Sequence, residues 1–129
     1  TIKEGSPKYI ALIRKSLEYY NLALENGFNK VDGFYSIGNA YEKIGDNANG
    51  VKTFQEMIAI FPNDYKGYTF LALLYYNMEV HAPTAKKNFT RVNTYYNLAI
   101  KLYDRSMNDD QFDLLEDHIK ELKAQRSIK

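Results

Sequence analysis

The chain has 129 residues, 17 Lys and Arg against 16 Asp and Glu, 45% hydrophobic residues and no cysteine. That is the length of one domain, and a net charge of +1 supplies no field that would gather a nucleic-acid backbone or an anionic bilayer. Without cysteine, disulfide staples, thiolate zinc sites and thiol nucleophiles are excluded, and the fold must stand on apolar burial. No apolar run approaches the ~18 residues of a membrane span, and no signal-peptide layout opens the chain, so no nucleic-acid partner and no direct membrane insertion are expected.

Three prolines and seven glycines punctuate the sequence, and between them apolar residues recur three and four apart, the spacing of one helical face. The pattern predicts about six helices and no sheet. The first starts at Pro7 behind Ser6 as N-cap and ends near Gly27, with Ile10, Ile13, Leu17, Tyr20 and Leu24 on one stripe. A second runs from about Val31 to Ile44. Gly45, Asp46 and Asn47 then supply a turn, and a third helix carries Val51, Phe54, Met57 and Ile58 up to Pro62, which ends it. The fourth spans about Asp64 to Met78, and the fifth is long, from Thr84 to about Asp104. The sixth spans Asp109 or Asp110 to about Gln125, with Phe112, Leu115, Ile119 and Leu122 as a stripe to bury on the preceding pair.

Self-similarity organises these elements. A shift of 34 residues puts Phe34 on Tyr68, Ile37 on Leu71, Gly38 on Ala72 and Tyr41 on Tyr75. A shift of 76 puts Tyr19-Tyr20-Asn21-Leu22-Ala23 on the identical Tyr95-Tyr96-Asn97-Leu98-Ala99, which leaves eight extra residues in the last unit. Helix pairs recurring at this period are units of a solenoid, because one pair cannot cover its own apolar face. Gly38 and Ala72 fall where the helices of a pair would cross at close range. Phe34, Tyr41, Phe54, Tyr68, Tyr75 and Tyr96 are expected as core.

Residues 31–64 resemble the tetratricopeptide repeat family through Phe34, Ile37-Gly38, Tyr41, Gly50, Phe54, Met57 and Pro62, with Phe34 in place of the usual Trp and Met57 in place of a small Ala. Residues 65–106 follow less closely, and Asp104 stands where the closing Pro belongs. The resemblance implies an all-α, right-handed solenoid of antiparallel helix pairs. Residues 7–30 would be the second helix of an incomplete first unit, 31–64 a complete repeat, 65–106 a repeat with an eight-residue insertion and 107–129 a capping helix. The first helix of the incomplete unit is expected upstream of Thr1. Part of the stripe at Tyr9, Leu12 and Ile13 should then lack its cover, leaving room for self-association.

Enzyme constellations are nearly absent. His81 and His118 stand apart from any paired-histidine spacing, the glycines form no phosphate loop, and no cofactor is implied. Asp113, Asp117 and His118 share a helix and carry the chemistry of a metal site, yet they read as a solvated acidic face and no metal is expected. The resemblance instead implies a protein or peptide partner in the inner groove, lined by Asp32, Tyr35, Asn39 and Glu42 of one unit and Lys66, Thr69, Leu73 and Tyr76 of the next. Family members that grip a terminal carboxylate use a Lys where Tyr35 stands and a second Asn where Phe70 stands, so that subtype is rejected although Asn39 matches. Residues 65–106 carry +4, and Lys86, Lys87 and Arg91 at the start of the fifth helix form a candidate patch for an anionic partner. The expected function is a non-catalytic interaction scaffold; the alternative is a structural spacer or dimerisation segment with nothing in its groove.

Overall fold

The computed structural model describes residues 3–27, 31–83 and 87–128 and is all-helical, with six helices among them and no strand. They are α1 (Pro7–Glu25), α2 (Val31–Lys43), α3 (Asn47–Ile60), α4 (Tyr65–Val80), α5 (Thr90–Leu102) and α6 (Asp110–Ala124). The chain divides after Met57 into two compact units.

Ser6 caps α1 as predicted, and aspartates cap three later helices. The Ser6 hydroxyl accepts the Tyr9 amide at 3.2 Å with Pro7 as first helical residue, and Asp46 accepts the Asn49 amide at 3.2 Å. Asp64 accepts from Lys66, and Asp109 from Gln111 and Phe112. Each satisfies amides that a helix leaves without an internal partner. Because Asp46 caps, Asn47 is the first residue of α3 instead of part of the turn. Gly45, at φ +79°, ends α2 by letting the Asp46 amide fold back to the Tyr41 carbonyl at 2.9 Å.

In the first unit, α1 and α2 run antiparallel: Ala23 and Leu24 near the end of α1 lie by Asp32 and Gly33, while Ile13 and Ser16 earlier in α1 lie by Asn39 and Lys43. Leu17, Ile37 and Ala40 form the core, with Ile13, Leu24, Tyr41 and Ile44 packed on it. Ile13 is partly covered, because it lies one turn from Leu17 on the same face. Leu12, 52% exposed, is uncovered as expected, and Tyr9 is half-buried. Gly38 is buried on α2, where a Cβ would run into the ring of Phe54.

In the second unit, α5 packs antiparallel on α4, since Arg91 meets Glu79 and Tyr95 meets Tyr75, and α6 packs on both. Tyr65 and Tyr76, near the two ends of α4, meet Phe112 and His118 in the same order along α6, so α4 and α6 run parallel. The predicted stripe Phe112, Leu115, Ile119 and Leu122 is buried throughout. At one end of the unit Phe112 stacks on Tyr103 at 3.8 Å, with Tyr65 and Tyr96 both at 6.1 Å. Of the six aromatics expected in the core, Phe34, Phe54, Tyr75 and Tyr96 are buried, while Tyr41 and Tyr68 are half-buried.

The fifth helix begins at Thr90, later than expected; Thr84 and Lys86 lie outside the described residues. The Asn88 side chain accepts the Thr90 amide at 2.9 Å, and the Asn88 amide donates to Glu79 at 3.0 Å. That pairing ties the approach to α5 to the end of α4, so residues 87–89 do not lengthen the helix.

Candidate functional site

The residues expected in the groove part into two groups. On α2, Asp32, Tyr35, Asn39 and Glu42 are spaced three, four and three apart, which places them on one face. Tyr35 and Asn39 open into a cleft of about 220 Å³ whose other walls include Ile13, Ser16 and Tyr20 of α1 and Lys43 of α2. Asp32 lines an adjoining cavity of about 460 Å³ with Tyr19, Ala23 and Leu24. Tyr20 and Ser36 line both, so the two are one trough between α1 and α2. Glu42 is half-buried and lines neither.

The trough has a direction. Asp32 stands at one end and Lys43 at the other, eleven residues apart along α2, a distance of roughly 16 Å at 1.5 Å per residue. Between them lie phenol, amide and hydroxyl groups over apolar walls from Ile13 and Leu24. Such a surface accepts and donates hydrogen bonds to extended backbone while covering one or two apolar side chains.

The four positions of α4 do not share one groove: Lys66 borders a cleft of about 530 Å³ with Pro62, Asp64 and Met107, away from the other three. Thr69 is fully buried, its hydroxyl donating to the Tyr65 carbonyl at 2.9 Å, and Leu73 is also buried. Tyr76 is half-buried and stacks on His118 at 3.9 Å. Lys66 is half-buried at the start of the helix, near the ring of Tyr65. Thr69 lies between Tyr65 and Tyr76 on the face turned to α6, and nine of the sixteen residues of α4 are buried. Periodicity locates an apolar stripe only where polar residues bound it, and α4 is apolar on nearly all sides.

Of the expected cationic cluster, Lys86 lies outside the described residues and the other two members are not side by side on a helix. Arg91 pairs with Glu79 at 3.7 Å and lies 4.1 Å above the ring of Tyr75, so its charge is engaged within the unit. Lys87 is exposed in the segment before α5 rather than on the helix. The candidate metal residues also part: Asp113 and Asp117 are exposed, whereas the Nδ1 of His118 is buried without a hydrogen-bond partner against Tyr76. No group of three metal-ligating side chains assembles among the described residues.

Sequence spacing missed the strongest polar cluster. Arg105, in the connection after α5, donates two 2.9 Å hydrogen bonds to Glu116 of α6, and the Tyr96 hydroxyl donates to the same carboxylate at 2.9 Å. The Arg105 bonds, reinforced by that of Tyr96, hold the Glu116 carboxyl below its ordinary range, against the opposing effect of partial burial. A depressed folded value means that the stabilisation is present above the unfolded pKa of ~4.3 and is lost as pH falls through the lower folded value. Glu116→Gln should therefore lower the melting temperature at pH 7 and flatten its fall between about pH 5 and pH 3, as thermal melts across that range would show. Equal acid slopes for both chains would contradict this.

At the opposite side of the same ring cluster, the Tyr65 hydroxyl donates to Asp109, the residue that caps α6. Burial foremost, and then this bond, raise the phenol above its ordinary value. Both clusters join residues far apart in sequence and serve to dock α6. No signal in the sequence marked them beyond the unpaired charges of Arg105 and Asp109.

The pentapeptide that occurs twice has two environments. In α5, Tyr96 is 7% exposed and Ala99 is fully buried. In α1, the matching Tyr20 is 36% exposed, Ala23 is half-buried, and Tyr19 is 73% exposed. Helix α5 packs on two neighbours within its unit, and α1 packs on α2 within its own. No protein-family model, curated protein or solved structure matches this chain.

Proposed function

We propose that this chain is a non-catalytic, tetratricopeptide-like interaction module whose trough between α1 and α2 receives a short peptide or partner helix. The observation that carries the reading is the joint opening of Tyr35 and Asn39 into a cleft walled by Tyr20 and ended by Lys43. The match of residues 31–64 to the repeat pattern and the close seat of Phe54 against Gly38 support it. The opposed charges at the trough's ends favour a ligand with an acidic group toward Lys43 and a basic one toward Asp32. Fold resemblance does not by itself give function, so the reading rests on the trough.

Tyr35→Ala and Asn39→Ala should each weaken capture of peptides from a random array, Tyr35→Ala by more than tenfold, since tyrosine in a small cleft is a typical anchor. Binding profiles identical to the parent chain would refute the trough. The enclosure of Thr69, Leu73 and Tyr76 favours a second reading for residues 58–128, a structural spacer, and Tyr76→Ala should then destabilise the fold without altering the array profile.

A further inference from the structure

We infer that the outer face of α1 is a self-pairing seam, through which two copies of this chain associate antiparallel about a two-fold axis near Leu17. Tyr19 also borders the trough, but Lys8, Leu12, Lys15 and Leu22 do not line it, and the inference does not rest on the trough. Lys8, Leu12, Lys15, Tyr19 and Leu22 follow at steps of four, three, four and three, all exposed, on the side of α1 away from Leu17. Leu12, Tyr19 and Leu22 are 52%, 73% and 58% exposed, which gives the helix a second apolar stripe besides the one it buries on α2. Steps of three and four are those of a two-helix seam.

The charges select the occupant. Lys8, Arg14 and Lys15 occupy the first half of α1 and Glu18 and Glu25 the second, with no acid in the first turn and no base in the last. This order opposes the helix dipole of α1. Against an antiparallel copy it sets Lys8 toward the Glu25 end and Lys15 beside Glu18 of the second copy, and it opposes the two dipoles. An axis near Leu17 places Leu12 against Leu22 of the second copy. It also places Lys15 against Tyr19 and Glu18 of the second copy. A cation over a tyrosine ring already joins two helices in this chain, where Arg91 covers Tyr75 at 4.1 Å. A five-position seam is short, and the association belongs with weak, concentration-dependent interfaces.

Sedimentation of the whole chain over a concentration series tests this, together with oxidation of cysteine variants, for which the native chain offers a clean background. We expect a reversible monomer–dimer equilibrium that Leu12→Asp with Leu22→Asp abolishes while the circular dichroism spectrum of the dilute, monomeric chain stays unchanged. Leu12→Cys with Leu22→Cys in one chain should cross-link into a covalent dimer, whereas each single cysteine should not. A chain that stays monomeric throughout overturns the inference. A dimer that survives the Asp substitutions, or one cross-linked by Leu12→Cys alone, overturns it as well, by placing the interface elsewhere or making it parallel.

Discussion

Phe112→Ala should cost about 3 to 5 kcal/mol, the range for removing a large aromatic from a core that cannot collapse around the gap. Phe112 is fully buried, and its ring is the common neighbour of Tyr65, Tyr96 and Tyr103, which come from α4, α5 and the segment after α5. Its loss empties the point where the start of α6 meets both other helices of the unit. Against a total stability of about 5 to 15 kcal/mol for a domain, one such change decides whether α6 stays docked. Urea denaturation measures it, with Leu114→Ala as the control, since Leu114 is 44% exposed and should change stability little. A loss below about 1 kcal/mol for Phe112→Ala would show that the ring cluster does not hold the helix.

The two glycines of α2 should respond in opposite directions. Gly38→Val should destabilise the chain by about 3 kcal/mol, the upper part of the range for overpacking, because the added atoms enter the space of the Phe54 ring. Gly33, five residues earlier on the same helix, has open space at its Cβ position. Gly33→Ala should then stabilise by about 0.5 to 1 kcal/mol through helix propensity and the reduced freedom of the unfolded chain. Thermal or urea unfolding of both variants gives the comparison. Equal effects would mean that Gly38 is kept for some reason other than close approach.

Local signals determined the helices and left the surfaces between them open. Ser6-Pro7, Asp64 and Asp109 mark helix starts by chemistry that acts within three residues, and the structure begins helices behind each. The stripe from Phe112 to Leu122 was legible because Asp113, Asp117 and Lys120 bound it with polar positions. Thr69 and Leu73 were misplaced for the converse reason: α4 has no polar side wide enough to show which face α6 would cover. The late start of α5 was hidden because Asn88 bonds to Glu79 on another helix, a contact that no spacing encodes. Arg91 read as a free cation for want of the same information, since Glu79 and Tyr75 reach it across the helix pair. Within the trough, Tyr35 and Asn39 were found by their register on α2. Tyr20 and Ser16 were not, because the antiparallel docking of α1 brings them there.

Helix α1 has nineteen residues and only one, Leu17, that is fully buried. Its backbone hydrogen bonds are therefore held by little side-chain anchorage, and local opening favours segments with few buried contacts. It is the helix this chain can release at least cost, and its release would uncover Ile37 and Ala40. Any molecule seated along α1, in the trough or on the outer seam, would act as a splint, so that occupancy and the ordering of the first twenty-five residues become one event.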